Sequence, residues 1–307
     1  MCRVIGRMNG RWCLGNAIGF GLLFKLMREL SGKTAILTGA SGGLGRYIAL
    51  ALAQRGVNLV LAAYPGEGLE SLNEAVSQQG VRAIPLVANF RHASQLRSVV
   101  EVANKEFGRI DLLINNAGVE FTSAYHELPE ENIGDIIGIN LEAPMLLTRL
   151  VLPDMLARGC GHIVNMASLA GKSGPAFQEP YAATKAALIA FTVSLRASYR
   201  GTGVSASVIC PGFVEAGIYA KLKKETGFVA PALLGTSPPE PVARAVVKAI
   251  HRDLPEVIVN PLPVKLLFAT AILFPRLGEF LVSRTGAHEF FAKAAEALKR
   301  KRLDAQK

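Results

Sequence analysis

The sequence predicts a doubly wound parallel α/β sheet with helices on both faces, a single domain with apolar N- and C-terminal appendages. Three observations predict it. Short apolar runs alternate with amphipathic stretches that close on glycine, the signature of βαβ units. The runs are apolar nearly throughout rather than at every second residue, as strands covered on both faces are. The 307 residues are 50% hydrophobic, ample core for one large domain.

The elements follow in order. Residues 34–37 are a first strand running into a glycine-rich turn, and 46–55 a helix closed by Gly56. Residues 58–63 are a second strand, 68–79 a helix ended by Gly80, 82–87 a third strand and 94–107 a helix ended by Gly108. Residues 110–115 give a fourth strand, a long helix spans 133–157, and 162–166 and 205–209 are the fifth and sixth strands. No solenoid repeat interrupts them. The expected division is an N-terminal appendage (1–30), a sheet domain (31–260) and a C-terminal appendage (261–307).

Composition and charge exclude several classes. So apolar a chain is not disordered. Cys2, Cys13, Cys160 and Cys210 are too few and too scattered for a disulfide scaffold, and read as reduced thiols in a cytoplasmic protein. The net charge of +10 is uneven: residues 1–33 carry +5 and residues 293–307 carry +4, which leaves +1 between. A nucleic-acid binder carries a basic stripe on its folded body, so no nucleic acid is expected. Basic ends flanked by apolar residues point instead to an anionic surface on the cytoplasmic face of a membrane, with solvated ends as the plainer reading. The uncharged run 12–24, preceded by Arg3, Arg7 and Arg11, falls short of the roughly 20 residues that span a bilayer. The run 257–282 is apolar but broken by Lys265, Arg276, Glu279 and three prolines. Both runs suit an interfacial segment or a lid over a binding site.

Two constellations carry chemistry. Gly39, Ser41, Gly43, Leu44 and Gly45 lie between the first strand and the first helix. There, glycines let backbone approach a pyrophosphate and the helix N-terminus offers free N–H groups. Tyr181 and Lys185 stand at i and i+4 on one helix face, thirteen and seventeen residues beyond Ser168. An ammonium beside a phenol lowers a pKa that is otherwise about 10. The five histidines (His92, His126, His162, His251, His288) lack ligand spacing, so no metal is expected. Ser168 lacks a nucleophile elbow, and Cys210 reads as a buried small residue.

Together these residues resemble the classical short-chain dehydrogenases/reductases over about residues 34–260, a Rossmann-like family. The resemblance rests on Thr38-Gly39-x3-Gly43-x-Gly45, Asn115-Asn116-Ala117-Gly118, Asn140, Ser168, Tyr181-x3-Lys185 and Pro211-Gly212, all in order. It implies Tyr181 as general acid/base, Lys185 as its electrostatic partner and ribose ligand, Ser168 orienting the substrate oxygen, and Asn140 anchoring a proton relay. It further implies a nicotinamide nucleotide held by Gly39, Ser41, Gly43, Leu44, Gly45, Tyr64, Asn89, Asn116, Ala117, Gly118, Tyr181, Lys185, Pro211, Gly212 and Val214.

Departures refine the expectation. The corner Ala62-Ala63-Tyr64 has no carboxylate before Glu67, which favours NADP (NADPH) over NAD although no basic residue stands there. Asn89 replaces the commoner Asp, and Ala216 a common Thr. The expected substrate is an apolar carbonyl or secondary alcohol, of the steroid, retinoid, fatty-acyl or xenobiotic kind, covered by residues 213–237 and bordered by Glu120, Phe121, Tyr125 and His126. A homodimer or homotetramer through the helices at 140–157 and 181–198 is implied as well. The alternative is a cofactor-binding, non-catalytic redox sensor or membrane-associated scaffold.

Overall fold

The computed structural model describes residues 29–305. It begins with β1 (Thr34–Thr38), α1 (Gly43–Ala53), β2 (Asn58–Ala63), α2 (Leu69–Ser77), β3 (Ala83–Val87), α3 (Ala93–Phe107) and β4 (Leu112–Asn115). Next come α4 (Glu130–Ile137), a π-helical turn (Gly138–Glu142), α5 (Ala143–Arg158), β5 (Gly161–Met166), α6 (Ala170–Ser173), α7 (Glu179–Ser198) and β6 (Val204–Pro211). Then follow β7 (Phe213–Val214), α8 (Gly217–Thr226), β8 (Thr236–Ser237), α9 (Glu240–Arg252), β9 (Glu256–Val259), α10 (Lys265–Leu273), α11 (Pro275–Ser283) and α12 (Ala287–Asp304). The run 12–24 and the arginines before it lie outside the described residues.

Seven strands form one parallel sheet in the order β3-β2-β1-β4-β5-β6-β9, and β7 pairs with β8 in a second, two-stranded sheet. Period-two alternation sends successive side chains to opposite faces. Leu37, Leu59, Leu61, Ile114 and Val164 face α1, α2 and α9, where Ile48, Leu52, Leu72, Val246 and Ile250 meet them. Ile36, Val60, Leu113 and Ile163 face α3, α5 and α7, against Val99, Leu147, Val151 and Leu195. Both faces are dry, which is why these strands read as continuous apolar runs.

Two expectations change. The long helix expected over 133–157 is interrupted by the π-helical turn at Gly138–Glu142, which carries Asn140; such turns recur at functional sites. The stretch Glu130–Arg158 is apolar and long enough to cross a membrane by length and composition, yet α5 lays Leu147, Val151 and Met155 against the sheet. The apolar run from residue 257 does not begin as an appendage. Its first residues complete β9, which pairs with β6 through Ile209 and Val257.

A buried polar chain fixes α7 to the sheet. Asn115 Nδ2 donates to Asn165 Oδ1 at 2.8 Å, Asn165 Nδ2 donates to Thr192 Oγ1 at 2.9 Å, and Thr192 Oγ1 donates to the Leu188 carbonyl at 2.7 Å. Asn165 and Thr192 are fully buried, so each group depends on its partner. Replacing Asn165→Ala leaves the Asn115 amide only its 3.5 Å contact with the Pro144 carbonyl and is expected to cost about 1–3 kcal/mol, read as a lower urea midpoint with unchanged m-value.

Candidate active site

The carboxyl ends of the parallel strands open into a cavity of about 1130 Å³ that runs from the loop after β1 to α12. Its position beside β1 and β4 is where the strand order reverses, the place where open α/β sheets bind ligands.

At the nucleotide end the loop after β1 is drawn against the loop after β4. Asn116 Nδ2 donates to the carbonyls of Thr38 and Gly39, while the backbone N–H groups of Asn116 and Ala117 donate to Thr38 Oγ1. Gly39 has φ +65°, and a Cβ there would stand 2.9 Å from Ala117 Cα. A Cβ on Gly43 would stand 2.1 Å from the Gly217 nitrogen, at the start of α8. The cradle is therefore bare backbone, the surface a pyrophosphate needs. Ser41, Leu44, Asn89 and Gly118 also line the cavity. Asn89 Oδ1 accepts from the Arg91 N–H. Gly45 does not reach the cavity wall; it packs beneath the loop, where a Cβ would fall 2.0 Å from the Gly39 carbonyl oxygen. Ala63 and the exposed Tyr64 line one rim of the cavity, and Glu67 reaches the same rim, further along the chain than the corner where the sequence suggested a carboxylate matters.

At the chemical end Ser168 follows β5, and Tyr181 and Lys185 lie in the first turns of α7. Ser168 Oγ accepts from the Ala170 N–H at 3.1 Å and donates to the Pro211 carbonyl at 3.5 Å. Lys185 Nζ donates to the Met166 carbonyl at 2.8 Å and lies 5.5 Å from the centre of the Tyr181 ring. Asn140 is clamped to the loop after β4: its Oδ1 accepts from the Val119 N–H at 2.8 Å, and its Nδ2 donates to the Val119 carbonyl at 2.9 Å. The amide side chain is thus spent on holding that loop. Pro211, Gly212 and Val214 line the wall opposite, and Asn260, unmarked by the sequence, packs against Gly212.

The expected lowering of the phenol is reversed here. Burial pushes Tyr181 above its ordinary value, the Ser168 hydrogen bond offsets part of this, and the charge of Glu120 adds to the rise. Lys185 lies over the ring, its ammonium bonded to the Met166 carbonyl. Burial also pushes the Lys185 ammonium down to about 8 and the Cys210 thiol up to about 12, so Cys210 is no nucleophile. His162 is pushed down by burial and bonds Ser207 at 2.8 Å, a structural histidine as expected.

The remaining cavity is lined mainly by apolar side chains, with Glu120, Lys221, Glu225, Lys301 and Arg302 also on its wall. Phe213, Tyr219 and Leu222 meet Phe291 and Leu298 of α12, with Leu267 and Phe268 of α10 beside them. The Phe213 ring sits 5.2 Å from Tyr219 and 5.4 Å from Phe290, edge to face. Glu120 and Phe121 line this chamber, whereas Tyr125 and His126 turn outward and do not. No group of three or more His, Cys, Asp or Glu that could hold a metal occurs among the described residues.

The sequence matches the short chain dehydrogenase family over residues 33–227. The chain belongs to that family. It is 43% identical over 275 residues to the ketoacyl reductase HetN of Nostoc sp., covering 88% of this chain and 95% of the relative. Among solved structures, a metagenomic short-chain oxidoreductase in complex with NADP superposes with a TM-score of 0.66 at 30% identity, covering 76% of this chain and all of that one. A point variant of actinorhodin polyketide ketoreductase with NADPH superposes with a TM-score of 0.70 at 29% identity, covering 74% of this chain and 95% of that one. A short-chain dehydrogenase fold of this kind makes the chain an oxidoreductase.

Glu120 is a half-buried acid with a clear consequence. Burial pushes its carboxyl up to about 7, offset in part by hydrogen bonds from Thr122 and Gln178, with Lys221 and Glu225 nearby. A carboxyl whose folded pKa is raised costs nothing below its unfolded value and its full penalty above the folded one. Replacing Glu120→Gln is expected to add roughly 1–3 kcal/mol of stability at pH 8 and almost none at pH 4, seen by urea denaturation at both.

Proposed function

We propose that the chain is an NADPH-dependent ketoreductase that transfers a hydride between nicotinamide and an apolar carbonyl or secondary alcohol carbon. One observation carries it: Ser168, Tyr181 and Lys185 meet where the bare glycine cradle opens into an apolar chamber. The lack of side chains at Gly39 and Gly43, which a Cβ would fill, fits a dinucleotide pyrophosphate. The nucleotide, when bound, supplies the hydride.

The chain's own residues supply the proton and the geometry. Tyr181, a phenol that carries its proton at neutral pH, gives that proton to the substrate oxygen. Ser168, just beyond β5 in the same cavity wall, presents a hydroxyl to the same oxygen. Lys185 is placed to reach the ribose beside Gly118, and Asn140 keeps the loop after β4 against it. Phe213, Tyr219, Leu267 and Phe291 exclude water and select apolar substrates. The keto-reducing relatives support reduction as the working direction. A redox sensor or scaffold would not need a buried proton donor at the substrate wall, which favours the enzyme.

NADPH is preferred because Ala63 and Tyr64 present nothing that repels a 2′-phosphate. A cytoplasmic enzyme fits the four dispersed cysteines. Exposed Met145 on α5 and Val193 on α7 support pairing of subunits through those helices, and the basic ends support contact with a membrane surface.

Replacing Tyr181→Phe is expected to lower kcat by about a thousandfold while the NADPH Kd stays within about twofold; retained turnover overturns the assignment. Fluorescence titration is expected to show NADPH binding about tenfold more tightly than NADH. The reverse order would overturn the preference and turn attention to Glu67.

A further inference from the structure

Among the described residues sixteen large apolar side chains are exposed, and six of them crowd into residues 266–280: Leu266, Ile272, Leu273, Phe274, Leu277 and Phe280. Leu266, Ile272 and Leu273 are 78%, 68% and 71% exposed, far beyond what scattered surface leucines explain. They form the outer face of the α10–α11 hairpin. The two helices pack chiefly on each other, touching the body through α6 and α12. Their inner face is different in kind: Leu267, Phe268 and Val282 line the active-site chamber.

Helix α10 carries no charge after Lys265, and is apolar on its inner and outer faces alike. A helix apolar all round belongs in a core or in lipid. The outer face is also cationic. Lys265, Arg276 and Arg284 are exposed and pair with no carboxylate among the described residues, and Glu279 is the one acid between them. Arg284 lies 6.0 Å from the Phe280 ring centre, the mixed aromatic and basic rim that suits a headgroup layer.

We propose that the outer face of the α10–α11 hairpin seats on an anionic lipid bilayer. The bend Ile272-Leu273-Phe274 enters the interface, while Lys265, Arg276 and Arg284 meet headgroup phosphates. The chamber then opens beside a reservoir of apolar substrate; that supply rests on the apolar-ketone reading, whereas the seating on lipid does not. Charge decides against the other occupants. A second copy on a two-fold axis would set the three cations against themselves. Residues 12–24 are led by Arg3, Arg7 and Arg11 and followed by Lys25 and Arg28, so they would bring cations to cations.

The test is sedimentation of the full-length protein with phosphatidylcholine vesicles, with and without about 30% phosphatidylglycerol, at low salt. Two variants run alongside: Leu273→Asp with Phe274→Asp, and Lys265→Gln with Arg276→Gln and Arg284→Gln. The wild type is expected to sediment with anionic vesicles, and each variant to lose about tenfold or more in partition coefficient. Tm and turnover of a water-soluble ketone should be unchanged in both. A wild type left in the supernatant overturns the proposal. Variants that sediment like the wild type assign binding to the basic ends, residues 1–33 or 293–307, and overturn it; variants that change only the oligomer mass assign the face to a second copy and do the same. If the Asp variant fails to fold, the Gln variant decides alone. A wild type inert toward the soluble ketone strikes the ketoreductase reading and leaves the lipid result standing.

Discussion

The site depends on how closely two loops approach at the reversal of strand order. Thr38 and Gly39 accept four hydrogen bonds from Asn116 and Ala117 across the gap between β1 and β4, and Gly39 lies where any side chain would strike Ala117. That contact sets the width of the crevice. It also engages these polar groups, so this end of the cavity presents chiefly backbone N–H groups and helix ends, the groups that suit an anion. Asn116 thus braces the cradle, and it lines the cavity beside Ala117 and Gly118 as well.

A second lattice of polar groups sets the opposite wall. The Asn115–Asn165–Thr192 chain ties β4 and β5 to α7 from beneath, and the π-helical turn aims Asn140 at Val119 from the side. Tyr181 and Lys185 therefore sit on a helix whose rotation and height are fixed by buried hydrogen bonds, not by apolar packing alone. Directional bonds specify a single arrangement where hydrophobic contacts tolerate several. A proton donor that has to meet a substrate oxygen at hydrogen-bond distance needs that kind of definition.

The strands and most helices were legible because their signals are local: continuous apolar runs, glycine stops, and the i, i+4 spacing of Tyr181 and Lys185. What escaped was tertiary. Strand β9 is four residues long and half-buried, so its apolar pattern merges with the run that follows. Tyr125 and His126 neighbour the site in sequence, but the turn that carries them faces solvent. Phe291 and Leu298 reach the chamber only because α12 folds back over α8, about 170 residues along the chain from the loop after β4. Glu120 was visible as a residue near the site, yet its link to Gln178 at the head of α7 needed three-dimensional proximity. The reversal at Tyr181 has the same origin: spacing placed an ammonium near a phenol, but not which carbonyl that ammonium would choose.

The walls of the chamber come mainly from segments that follow Gly212, namely α8, α10, α11 and α12, while Ser168, Tyr181, Lys185 and the glycine cradle all precede it. Chemistry and choice of substrate are thus written in successive stretches of the polypeptide. Changes in α10, α11 and α12 would reshape what enters and leave Ser168, Tyr181 and Lys185 in place, whereas α8 also touches the glycine cradle, through Gly217 at Gly43, and Tyr181, through Ile218.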